Sequence, residues 1–110
     1  MKDKLDKLPR LRLDALFIIC CEDDISAGRL LGIEKNRLIF SLNEKYSVGD
    51  TFTAGFRANG DFITIETMRK IWECQGEEII EIMAEISEIE AAGELKLNNL
   101  FNNRSYSHQN

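Results

Sequence analysis

Histidine is almost missing from this 110-residue chain, its one copy, His108, standing third from the C-terminus. Everything upstream therefore lacks the side chain most often used as a general base. No Ser-His-Asp or Cys-His set, glycine-rich phosphate loop or telling pair of carboxylates takes its place. The chain is not expected to be an enzyme. Cysteine is scarce and odd in number: Cys20, Cys21 and Cys74. Adjacent residues on a strand point to opposite faces, so Cys20 and Cys21 are badly placed to grip one ion. They read as reduced thiols of a cytoplasmic protein, and no metal or other cofactor is expected. Long apolar runs are absent too. The longest, residues 15–21, falls far short of the roughly 20 residues that cross a bilayer. It follows a charged start with no small-residue cleavage site, which argues against a signal peptide and against membrane insertion.

Positive charge is in deficit, with 14 Lys and Arg against 19 Asp and Glu, a net charge of −5 and a pI near 4.9. Such a surface repels phosphate backbones at long range, so nucleic acid is not an expected partner. The basic residues are unevenly spread: Lys2, Lys4, Lys7, Arg10 and Arg12 lie in the first twelve positions. Together with the only proline, Pro9, which biases Leu8 toward extended backbone, they make residues 1–12 read as a flexible basic arm. A charged arm is more often solvated than functional. Glu22, Asp23 and Asp24 read likewise as a solvated turn, not a metal site.

What the chain does have is enough apolar residue, 44%, for one domain that buries roughly 65% of its unfolded surface. Phe52, Ala54 and Phe56 alternate with Thr51, Thr53 and Arg57, the period-two pattern of a strand with one buried face. Asn59-Gly60 follows, the strongest short-range hairpin signal, because a type I′ turn needs φ > 0 at both central residues. The return strand runs over residues 62–72, and Trp72 at its end reads as a cap on the core in preference to a partner-binding patch. Before this hairpin, strands are expected at 13–22, 29–33 and 37–42, with Asp24-Ile25-Ser26-Ala27-Gly28 as a turn and Gly32 as a bulge or close backbone approach. After it, Ile80, Ile82, Ala84 and Ile86 line one face of a sixth strand over 78–87. Ile82, Ile86 and Ile89 also fall at helical spacing, but the β-branched content and the preceding Gln75-Gly76 favour the strand.

Ser87 with Glu90 three residues on has the pattern of a capping box, opening a helix with Ile89, Ala92, Leu97, Leu100 and Phe101 on its apolar stripe. Residues 102–110 read as a disordered tail. Six short strands and one helix point to a mainly β protein: a small six-stranded antiparallel barrel over 13–101 whose C-terminal helix covers one mouth.

With Arg37-Leu-Ile-Phe-Ser-Leu, Val48-Gly49-Asp50-Thr51-Phe52 and the strand-then-helix ending at 78–101, the chain resembles the PilZ family across about residues 7–101. The resemblance implies a six-stranded barrel from bacterial signalling. Members that bind cyclic-di-GMP carry R-x-x-x-R on the N-terminal arm and D/N-x-S-x-x-G between the second and third strands, arginine forks clamping phosphate. Here Asp6-Lys7-Leu8-Pro9-Arg10 keeps only the second arginine. Gly32-Ile33-Glu34-Lys35-Asn36-Arg37 lacks the defining Asp, Ser and Gly, and a competing alignment on Asp24-Ile25-Ser26-Ala27-Gly28-Arg29 has its glycine one residue early.

The resemblance thus implies a non-catalytic adaptor that works through a protein partner in a type IV pilus, flagellar or related motility system. Homo-oligomerisation is left open. The alternative it implies is a cyclic-di-GMP sensor using Arg10, Arg12 and Arg37, which Asp6 and Glu34 at the matching positions disfavour by charge repulsion.

Overall fold

A computed structural model describes residues 11–43, 46 and 48–109, with side chains placed for residues 12–102 among them. Six antiparallel strands, β1 Leu11–Cys21, β2 Asp24–Glu34, β3 Arg37–Asn43, β4 Thr51–Ala58, β5 Asp61–Gln75 and β6 Ile79–Glu88, precede one helix, α1 Ala91–Gln109. The strands close in the order β1-β2-β3-β6-β5-β4, and β4 returns to β1. This is the expected six-stranded antiparallel barrel with a C-terminal helix.

Alternation explains the interior. Phe17 and Ile19 on β1, Leu38, Phe40 and Leu42 on β3, Phe52, Ala54 and Phe56 on β4, and Ile80, Ile82 and Ala84 on β6 are all buried. Each large side chain removed from water contributes roughly 1.5–3 kcal/mol. The aromatic rings join across the barrel: Phe17 lies 4.5 Å from Phe40 and 6.2 Å from Phe56 between centroids, and Phe40 meets Phe52 edge-on at 5.8 Å. Offset and edge-to-face rings at such distances add to the area term.

Several boundaries differ from the sequence expectation. Asp24–Gly28 is strand, not turn. The chain reverses within Glu22-Asp23, where Glu22 adopts φ 56°, so that β1 and β2 pair from Cys21↔Asp24 onward. Leu11 and Arg12 belong to β1 instead of the arm, because Leu11↔Ile33 and Arg12↔Gly32 extend the same ladder. Residues 1–10, and Arg10 with them, lie outside the described residues. A register shift between Leu30 and Gly32 places the bulge expected at Gly32.

The helix start is also rewritten. Ser87 stays in β6, and the helix opens at Ala91. The backbone N–H of Glu90 donates to Oε1 of Glu66 on β5 at 2.9 Å, and the N–H of Glu94 donates to the Glu90 carbonyl at 2.9 Å. A carboxylate brought from a neighbouring strand thus does the work assigned to the local capping box, aided by the positive end of the helix dipole. Gly93 permits the approach: a Cβ there would lie 2.9 Å from the carbonyl oxygen of Thr64. Lys96 Nζ donates to the Phe62 carbonyl at 3.2 Å, and Leu97 and Leu100 are buried, while Ala92, expected on the apolar stripe, is exposed. The helix runs on to Gln109, past the stripe that ends at Phe101, because each further helical residue adds one bond to a turn already formed.

Asn59 and Gly60 have φ of 53° and 82°, as a type I′ turn requires. A Cβ added at Gly60 meets nothing within 4 Å, so any cost of substitution is backbone strain alone. Gly60→Val is expected to lower stability by about 1–2 kcal/mol, whereas Gly60→Asn costs much less. An equal denaturation midpoint for the two variants would contradict this. Glu66→Ala is expected to cost about 1 kcal/mol, the size of a lost N-terminal cap, with faster amide exchange at Glu90 than in the parent. Unchanged exchange there would show that the Glu66 carboxylate does not hold the helix start.

Candidate functional site

The register brings residues far apart in sequence into rows across the outer wall. One row runs Arg69↔Glu85↔Arg37 over β5, β6 and β3. Arg69 bonds Glu85 directly, so Glu85 stands between two guanidinium-bearing positions, and the row alternates in sign. The next row runs Trp72↔Met83↔Ile39 and continues through Gly32 to Arg12 on β1. Ala84 points inward, so its neighbour Met83, and with it Trp72 and Ile39, face outward.

Trp72 is therefore not a cap on the core. It is 46% exposed and its neighbour Ile71 43%, while Met83 and Ile39 are half-buried. The physical reason is the register shift between Lys70↔Ala84 and Trp72↔Met83, which moves Trp72 from the inward side it would share with Met68 to the outer face, and strand length then leaves its flank open. β5 has 15 residues and β4 only 8, and their ladder stops at Thr51↔Arg69, so β5 continues past the last residue that β4 can cover. Beyond it, Ile71 occupies a register shift between Lys70 and Trp72, and Ile79 at the start of β6 is 53% exposed. Scattered exposed apolar residues such as Leu16 and Ile25 on other strands are ordinary. Trp72, Ile71, Met83 and Ile39, neighbours in the register, mark a surface that prefers to be covered, with Ile79 further along β6 beyond Glu81.

Lys70 fixes the base of this set. Its Nζ donates to the Val48 carbonyl and to Oε1 of Glu73, both at 3.0 Å, and its backbone N–H donates to the Asp50 carbonyl at 2.8 Å. Past it the surface turns acidic. Glu73, Glu77, Glu78 and Glu81 are exposed, and no cation among the described residues bridges the last three.

The residues named for a dinucleotide are arranged differently. Arg12 and Arg37 are both exposed and lie at the end of the barrel that α1 covers, on β1 and β3 with β2 between them, hence roughly 10 Å apart sideways. Arg10 is outside the described residues. Glu34 is 4% exposed, the one buried charged residue described, and closes the β2–β3 turn opposite Arg37. Beside this turn an open groove of ≈ 880 Å³ separates it from α1, lined by Lys35, Asn36, Glu88, Glu94, Leu97 and Phe101 among others. Its described cation, Lys35, faces two carboxylates, a poor cradle for a dianion. Among the described residues no group of three or more His, Cys, Asp or Glu could hold a metal ion, Cys20, Cys21 and Cys74 are free thiols, and no helix is long and apolar enough to cross a membrane.

No family model, curated protein or solved structure matches this chain.

The surface described here was missed at the sequence level because Trp72 was assigned by residue type. The length of the return strand, at least eleven residues, hints that it outruns the strand before it, but the register shift at Ile71 that turns Trp72 outward leaves no local signal. As the only tryptophan in the chain, Trp72 reports its own environment. Its fluorescence is expected to be readily quenched by acrylamide, and Trp72→Ala to cost less than the ~3–5 kcal/mol of a core aromatic such as Phe56→Ala. A shielded, blue-shifted emission would place the ring inside.

Proposed function

We propose that the chain is a non-catalytic interaction adaptor that engages a protein partner through the outer wall of β5, β6 and β3. The observation that carries this reading is the Trp72–Met83–Ile39 row, an aromatic anchor with two apolar neighbours on a rigid sheet, rimmed by charge. Interfaces concentrate their binding energy in such anchors, tryptophan foremost. The described interior supports the same reading from the other side: it is filled by apolar side chains, with no unpartnered buried polar atom aimed into it. A cytoplasmic setting rests on the three cysteines read as reduced thiols, and a place in bacterial signalling or motility, of the type IV pilus or flagellar kind, rests on the PilZ resemblance of the sequence alone.

The second reading, a cyclic-di-GMP sensor, draws on Arg12 and Arg37 sharing one end of the barrel. Against it stand Glu85 beside Arg37, the acid-lined groove and the lone described lysine in it. Each lost charge-assisted contact costs about 1.5–3 kcal/mol, roughly one to two decades of affinity. Calorimetry with cyclic-di-GMP is expected to give a Kd of about 1 mM or weaker. Micromolar binding abolished by Arg10→Ala or Arg12→Ala would replace the adaptor reading with the sensor.

The adaptor reading itself is tested by placing a photo-crosslinking residue at Met83 in the full chain, with Arg57 on β4 as the control position, in cells that naturally make the protein. One discrete adduct from position 83, lost in Trp72→Glu and absent from position 57, is expected. Equal labelling from both positions, or none from position 83, would sink it.

A further inference from the structure

The end of β5 differs from the rest of the barrel in more than its exposed side chains. From Thr67 to Gln75 the strand is paired with β6 on one side. On the other side the β4 ladder ends at Thr51↔Arg69, and the last backbone bond is Lys70 N–H to the Asp50 carbonyl. Among the described residues no strand pairs with Ile71–Gln75 on that side, and all five are exposed. Alternate residues of an antiparallel strand direct both N–H and C=O to the same side, so this edge offers a short row of donors and acceptors to a further strand.

We propose that the partner binds by adding an extended, basic segment as a strand along β5 at Ile71–Gln75. The proposal rests on the adaptor reading and assigns its mode and the chemistry of its occupant. Three features select that occupant. Main-chain pairing at a free edge needs an extended chain, and its alternate side chains would fall on the two faces of the widened sheet. One of those faces carries Trp72, so apolar residues at alternate positions gain cover beside it. The surroundings carry Glu73, Glu77, Glu78 and Glu81, so the intervening positions are favoured as Lys or Arg.

The same charges argue against a second copy of the chain as the occupant. Antiparallel pairing of two identical edges that uses all five residues centres on Glu73, placing the two Glu73 carboxylates directly opposite each other. Like charges in directly opposed positions destabilise a ladder. The register shift at Ile71 and the Lys70–Glu73 pair at 3.0 Å are the kind of devices by which sheets discourage indiscriminate edge pairing.

The test uses the full chain, labelled for amide exchange by NMR, and two synthetic probes: an extended peptide alternating lysine with valine and isoleucine, and the same peptide with every lysine replaced by glutamate. The expected result is exchange slowed at least about tenfold at alternate amides within Ile71–Gln75, a blue shift of Trp72 emission, and binding at least about tenfold weaker for the acidic peptide. Absence of binding by the basic peptide overturns the proposal, as does equal binding of both peptides. If the basic peptide shifts Met83 and Ile39 without protecting Ile71–Gln75, the proposal fails while the adaptor reading stands on its crosslinking result. Protection of this edge in the chain alone, rising with concentration, would make the occupant a second copy and overturn the assignment of a basic partner.

Discussion

Everything in this molecule hangs on the seam between β1 and β4, from Phe17↔Phe56 to Cys20↔Thr53. It joins strands 30 or more residues apart and converts a six-stranded sheet into a closed wall, which satisfies backbone groups that an open sheet would expose. Phe17 and Phe56 are partners in the seam and also meet in the core, so ladder and packing reinforce each other at one place. Thr53–Phe56, four of the eight residues of β4, make this seam. Those eight are too few to pair with all fifteen of β5, so the strand that closes the barrel leaves the end of β5 without a described partner on that side.

Helix α1 solves the opposite problem at the far mouth. Its N-terminal amides need acceptors and its apolar stripe needs cover, and β5 supplies both: the Glu66 carboxylate at the Glu90 N–H, and the bare backbone around Thr64 against which Gly93 lies. Gly93 lowers intrinsic helix propensity by about 1 kcal/mol relative to Ala, a cost offset by the close packing it allows. β5 is thus the organising strand twice over. Its first half holds the helix and the β4 hairpin, and among the described residues its last five, Ile71–Gln75, pair with β6 alone.

Much of this was legible in the residues. The alternation of Phe52, Ala54 and Phe56, the Asn59-Gly60 turn and the isoleucine row of β6 carry period and φ requirements that only one arrangement satisfies. What escaped has a common cause. Asp24–Gly28 looks like a turn by composition because its small polar residues are poor strand formers, yet the ladder to β1 recruits it. Ser87 and Glu90 form a plausible cap by spacing, yet a carboxylate 24 residues away is nearer to the amide in space. Trp72 is apolar enough for a core cap, yet a register shift in the β5–β6 ladder turns it to the outer face. In each case a local rule yields to a partner chosen by tertiary pairing. The arginine constellation was legible only as an analogy of motifs, and Arg12 and Arg37 on opposite sides of β2 share an end of the barrel without forming a clamp in the described residues.

The distribution of polarity then locates the chemistry. Eight strands already give a barrel interior narrow enough for side chains to fill, and in this six-stranded one phenylalanine, isoleucine and leucine fill it. On the outside a sheet offers a partner three things: a face, a loop or an edge. The loops at the helix-covered end present Lys35 among acids, a weak anion site. The face at Trp72 and the edge at Ile71–Gln75 coincide: the register shift at Ile71 turns Trp72 outward, and the length of β5 beyond β4 leaves the edge. Exposed apolar side chains and main chain unpaired among the described residues therefore occupy the same few residues of β5, which is why the proposed partner surface is placed there.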